Sequence, residues 1–184
     1  MNMELKPLLE FLKDPVYLED PKRSWQHRLS RTALLLPWAL GVALTLALLI
    51  GIVSTLGPWN LEEHAIDQLL QKYPASLIFL LAVMAAPVIE EAIFRGPLLF
   101  FRGSRYFKIA FWGFTLMFAL VHLGNFPGLE AVWFLSPLLV SPPFFLGIFT
   151  GFIRVRYGLL YSMLFHALYN GILLGPALFL FPAP

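Results

Sequence analysis

Apolar positions in this chain fall into five long runs separated by short polar stretches. The first is Thr32–Leu56, whose 25 residues suffice for one tilted helical crossing of a bilayer. The second, Ala75–Phe101, stops at Arg102. Phe107–Leu123 is a third and shorter run, followed by Gly124–Glu130, a turn rich in Gly and Pro. Ala131–Ile153 is the fourth and Gly158–Phe181 the fifth, with a break expected at Gly175-Pro176. Backbone groups in lipid must be satisfied within their own segment, so these runs predict helices. The expected fold class is all-α, a polytopic membrane helical bundle of about five transmembrane helices.

Between the runs the pattern changes. Residues 1–31 mix charge with Leu5, Leu8, Leu9, Phe11 and Leu12, and Pro7, Pro15 and Pro21 forbid one long helix. They read as a cytoplasmic arm with a short interfacial helix. Its polar start is too long for a signal peptide, so residues 32–56 read as a retained first transmembrane helix. Residues 57–74 read as an external interfacial segment: Leu61, Ala65 and Leu69, with Ile66 and Leu70, recur at helical spacing opposite acidic residues. His64 there, and His27 beside Lys22, Arg23 and Arg28, read as solvated. Residues 75–184 form the remaining membrane core.

Composition and charge agree with the pattern. The chain is 59% hydrophobic and only 13% charged, with a mean hydropathy of +0.74, where a soluble domain carries about a quarter of its residues as charges. Of the 13 Lys and Arg residues, 11 fall in residues 1–31, 102–108 and 154–156, and only Lys72 lies in the two opposite loops. The positive-inside rule then places the N-terminus in the cytoplasm and the C-terminus outside. Basic residues confined to span ends give no reason to expect nucleic acid. There are 0 cysteines, which excludes disulfides, thiolate metal sites and a cysteine nucleophile.

Prolines are frequent inside the runs. Pro87 is expected to free the Val83 carbonyl, and Pro142-Pro143 to kink the fourth span. Freed groups of this kind are tolerated where protein or a wet cavity takes them up, which predicts a hydrated pocket near Glu90.

The chemistry lies in the few strongly polar side chains of the runs: Glu90, Glu91 and Arg95 in the second, His122 in the third, His166 and Asn170 in the fifth. An ionisable group at bilayer depth costs about 2.5–3.5 kcal/mol on insertion scales and marks a functional site by default. At about 1.5 Å per residue, Glu90, His122 and Asn170 lie about 18–23 Å from the cytoplasmic ends of their helices, and His166 about 12 Å. Glu91 and Arg95 are i,i+4 neighbours in the favourable acid-first order, so Glu91 is the expected partner of the arginine and Glu90 stays available. His166 and Asn170 share a face by the same spacing. A carboxylate beside imidazoles can act as general base toward water, and a histidine with an amide can stabilise an oxyanion. The bland alternative is helix–helix glue, worth about 0.6 kcal/mol per hydrogen bond in membranes. Phe118 reads as packing.

Three complete motifs in order, Glu90-Glu91-Ala92-Ile93-Phe94-Arg95, Phe118-Ala119-Leu120-Val121-His122 and His166-Ala167-Leu168-Tyr169-Asn170, resemble the CPBP family. These are the CAAX proteases and bacteriocin-processing enzymes, also called the Abi family of intramembrane endopeptidases. The resemblance covers residues 75–181. It implies that Glu90 with His122 activates a water, that His166 and Asn170 stabilise the tetrahedral intermediate, and that Glu91 with Arg95 holds the site in shape. No cofactor is favoured, although a zinc set of Glu90, His122 and His166 would have a vacant fourth position. The implied partners are the lipid bilayer and a membrane-associated protein or peptide, either a prenylated C-terminal tail or a bacterial leader or sorting tail. The small size suggests an integral protein of a prokaryotic plasma membrane.

Two other functions compete. A non-catalytic scaffold or immunity protein, of the abortive-infection kind, would bind another membrane protein through the same surfaces. A proton-linked carrier would use the carboxylates as a relay, but five spans without an inverted repeat suit it poorly.

Overall fold

Among the described residues, apolar runs bounded by glycine, proline or charge form helices, and no strand occurs. The computed structural model describes residues 5–57, 69–126 and 129–180. Two short helices, α1 (Leu5–Lys13) and α2 (Trp25–Ala33), precede the long α3 (Leu36–Leu56). The second span is composite: α4 (Ala75–Phe79), a π-helical stretch (Leu80–Ala85), α5 (Ala86–Phe94) and a 3-10 segment (Gly96–Phe101). Helix α6 (Phe107–Val121) ends in a 3-10 turn, His122–Asn125. A 3-10 segment (Leu129–Leu135), α7 (Ser136–Leu139), α8 (Ser141–Arg156) and α9 (Leu159–Leu180) complete the fold.

Four stretches are long and apolar enough to cross a bilayer: Trp25–Leu56, Ala75–Phe101, Phe107–Asn125 and Trp133–Arg156. Helix α9 adds 22 residues without an acid, lysine or arginine, about 33 Å of helix. The total is close to the five expected, and the protein is an integral membrane protein. Helix α8 runs through the centre. Every residue from Leu146 to Val155 is buried, as befits a helix apolar on all sides. Around it pack α3, α6 and α9.

Three local expectations change. Pro142 and Pro143 fall not inside a continuous helix but in the first turn of α8, just after the break at Val140 between α7 and α8, a position that tolerates proline. Helix α9 is not broken at Gly175-Pro176 but continues through Pro176. A proline ring disfavours helical backbone in the preceding residue partly through that residue's Cβ, and Gly175 has none. His27 is not solvated: its Nε2 lies 3.4 Å from Asp20 Oδ1 and its side chain is only 17% exposed. The amphipathic pattern of residues 61–70, with His64, lies almost wholly outside the described residues.

The N-terminal arm is bound into the bundle. Leu8 and Phe11 are buried, and the Phe11 ring meets Phe111 edge-on at 5.0 Å and Phe152 at 5.4 Å. Beyond α1 the chain crosses the ends of the other helices. Asp14 pairs with Lys108 at 3.3 Å and Glu19 with Arg102 at 2.9 Å. The Asp20 N–H donates to Arg156 O at 2.9 Å, and Arg28 Nη1 donates to Tyr157 O at 3.0 Å. Exposed ion pairs contribute about 0–1 kcal/mol each, so the apolar anchor carries more of the attachment. These contacts gather the three basic segments at one end of the bundle, as a shared cytoplasmic face requires.

Phe11→Ala is expected to destabilise the detergent-solubilised protein by about 3–5 kcal/mol, whereas Trp25→Ala, at a position 61% exposed, has little effect. Equal shifts in the thermal midpoint of the two variants would show that α1 is not part of the core.

Candidate active site

The site begins with an irregularity in the second span. The Ala86 N–H donates to Leu81 O, five residues back, which is π-helical register. In that register Ala82 O would accept from residue 87, and Pro87 has no N–H to give. The side chain of Asn170 supplies the missing hydrogen, with Nδ2 donating to Ala82 O at 2.9 Å. The group left without a backbone donor is thus Ala82 O rather than the Val83 carbonyl expected from regular α-helical counting. The bond ties α9 to the second span. A Cβ on Gly171 would meet Val83 Cγ1 at 3.4 Å, and one on Gly175 would meet Phe79 Cε2 at 3.7 Å. Contacts 79–175, 82–170 and 91–166 run in opposite order, so the two helices are antiparallel.

Behind this contact lie two charges with no exposure, Glu91 and Arg95. Glu91 Oε1 accepts from His166 Nδ1 at 3.0 Å, and its Oε2 accepts from the Ser162 hydroxyl. Arg95 Nε stands 3.8 Å from Glu91 Oε2 and donates to Thr150 Oγ1 at 3.0 Å. The pairing of Glu91 with Arg95 is the one their spacing predicts. The guanidinium lies 4.4 Å from the centre of the Phe118 ring, so a cation–π contact replaces oxygen partners for the two buried Nη groups. Gly147 leaves room for them, since a Cβ there would sit 2.9 Å from Nη2. Arg154 Nε donates to the Arg95 carbonyl at 3.1 Å, just past the end of α5.

Glu90 points elsewhere. Its side chain is 28% exposed, and its Oε2 lies 3.8 Å from His166 Nε2. A cavity of about 440 Å³ is lined by Glu90, His122, His166 and Asn170, the four residues to which chemistry was assigned above, with Ala82 and Ala86 on the same face as Glu90. The contacts of His166 with both glutamates remove its apparent shortfall in depth.

Hydrogen bonding assigns the imidazole protons. His122 Nδ1 is 2.7 Å from Phe118 O, and a carbonyl only accepts, so Nδ1 carries hydrogen and Nε2 of the neutral ring accepts. His166 Nδ1 is likewise committed to the Glu91 carboxylate. Phe118 does more than pack: its ring lies edge-on to His122 at 4.7 Å and to His166 at 5.8 Å, as well as beneath Arg95.

Ser162 and Thr150 complete the site and carry no motif. Ser162 lies one helical turn before His166, so i,i+4 spacing could have found it. Thr150 has no such signal in the chain. Glu90, His122 and His166 do not gather into a metal-binding cluster, and no group of three or more His, Asp or Glu side chains does so among the described residues.

Residues 72–172 match the family described as type II CAAX prenyl endopeptidase, Rce1-like. No curated protein and no solved structure matches the chain.

Removing one member of a buried ion pair costs about 3–5 kcal/mol, because the other is left uncompensated. Arg95→Met is expected to destabilise by that amount, and adding Glu91→Gln to recover part of it. A double variant as unstable as the sum of the two single ones would show that the pair is not coupled.

Proposed function

Because the chain belongs to the Rce1-like type II CAAX prenyl endopeptidase family, we propose that it is an intramembrane endopeptidase in which Glu90 activates the attacking water. The observation that carries this reading is the division between two adjacent carboxylates. Glu91 is sealed and fully engaged, whereas Glu90 faces a cavity together with His122, His166 and Asn170. Among the described residues that line the cavity there is no serine or cysteine, and a carboxylate is the natural acceptor for a water proton.

The steps follow from the hydrogen-bond inventory. Glu90 takes one proton from water, while His122 Nε2 accepts a hydrogen bond from the other and orients the oxygen. The hydroxide formed attacks the peptide carbonyl carbon. Asn170 has a second Nδ2–H beyond the one given to Ala82 O, and this donates to the developing oxyanion. His166 adds a donor when its Nε2 is also protonated. Collapse of the intermediate breaks the C–N bond, and the proton held by Glu90 passes to the leaving amine. Glu91 fixes the His166 ring through Nδ1, and Arg95, Thr150 and Ser162 fix Glu91. No cofactor enters these steps.

The substrate is a membrane-associated protein or peptide, either a prenylated C-terminal tail or a bacterial leader or sorting tail. A prokaryotic plasma membrane is the proposed location.

Loss of a positioned general base lowers rates by about 10²–10⁴-fold. Terminal peptides of membrane proteins should therefore differ between cells carrying the wild-type chain and cells carrying Glu90→Gln at matched expression, and the termini unique to wild type name the substrate. Identical termini, with the wild-type phenotype retained by the variant, would point instead to a binding or scaffold protein.

A further inference from the structure

The catalytic cavity extends in one direction only. On the second span it is lined by Ala82, Ala86 and Glu90, and by nothing between Glu90 and the basic end at Arg102. On the other helices it takes His122 and Asn125 where α6 runs out, Pro142 to Leu146 where α8 starts, and His166 to Leu174 through the middle of α9. No helix contributes lining from the two turns nearest its basic end, and on each the lining reaches toward the opposite end. These four helices alternate in direction, so the agreement reflects one common side of the bundle.

The other side is filled. Below Glu90 come Glu91 and Arg95, both without exposure, then the buried rings of Phe94, Phe118, Phe111, Phe152 and Phe107. Phe94 meets Phe118 at 5.6 Å, and Phe111 meets Phe107 at 6.4 Å and Phe11 of the arm at 5.0 Å. The arm lies across this end through its ion pairs with Arg102 and Lys108. Packed aromatic rings leave no gap for water, let alone for a peptide.

We infer that water and substrate reach Glu90 from the non-cytoplasmic face, so that the peptide cut is a segment presented on the outer side of the membrane. The orientation comes from the 11 basic residues at the closed end against one in the opposite loops. The inference rests on the endopeptidase reading for the word substrate, but the side of access is a property of the cavity alone. It selects among the substrates proposed above. A leader or sorting tail of an exported protein is reachable, and a tail exposed only to the cytoplasm is not. Leu146, Leu173 and Leu174 along the cavity wall suit apolar side chains beside the bond cut.

A chain with 0 cysteines is a clean background for thiol labelling. Glu90→Cys at the cavity floor, Asn125→Cys nearer its mouth and Ser104→Cys in the basic loop are each treated with a charged, membrane-impermeant thiosulfonate, in intact cells and in inverted membrane vesicles. Glu90→Cys and Asn125→Cys are expected to react in intact cells and lose that labelling in inverted vesicles, and Ser104→Cys to show the reverse. The inference is overturned if Glu90→Cys shares the side of Ser104→Cys, if Ser104→Cys is the one reached from outside, or if neither cavity position reacts from either side. Labelling needs no proteolysis, so a failure here and a failure of the endopeptidase reading are separate results.

Discussion

A carboxylate and a guanidinium without solvent exposure sit in the middle of an apolar bundle, and the arrangement of three helices follows from how they are satisfied. Removing such charges from water costs several kcal/mol per ion, so each must find partners. Glu91 takes His166 and Ser162 from α9; Arg95 takes Thr150 from α8 and the Phe118 ring from α6. Sliding α5 against α8 or α9 by one residue would leave one of these groups unpaired in a low-dielectric interior. Buried pairs of this kind seldom add net stability over apolar packing. What this one supplies is register.

Register sets the chemistry. Glu90 lies about 100° around the helix from Glu91, so fixing one carboxylate inside the protein turns the next toward the cavity. His166 is held at Nδ1 by Glu91 and meets Glu90 through Nε2, which places one imidazole between a structural and an exposed carboxylate. Asn170, one turn further along α9, joins the same arrangement because the π-helical stretch before Pro87 presents a carbonyl that has lost its backbone donor. The irregularity in the second span is therefore what binds the oxyanion candidate to the helix carrying the base candidate.

Much of this was legible in the chain. Apolar runs marked the spans because lipid admits few alternatives to helices. The motif residues stood out because charge at that depth is costly, and i,i+4 spacing separated the roles expected of Glu91 and Glu90. Other features depend on contacts between segments distant in sequence. Thr150 looks like any small polar residue in an apolar helix until Arg95 is beside it. Phe118 reads as packing from one helix alone. Counting four residues back from Pro87 gives Val83 only in a regular α-helix, and the burial of Leu8 and Phe11 requires knowing that Phe111 and Phe152 leave a place for them. Proline was the least reliable guide, because Pro142 and Pro143 begin a helix and Pro176 follows a glycine that relieves its crowding.

The central claim is that two adjacent glutamates divide structure from reactivity. The most direct test compares the thermal unfolding midpoints of purified Glu90→Gln and Glu91→Gln with that of the wild-type protein. The account predicts a clear fall for Glu91→Gln, which loses the charge that answers Arg95, and a midpoint near that of wild type for Glu90→Gln. The opposite order, with Glu91→Gln unaffected and Glu90→Gln unstable, would contradict it.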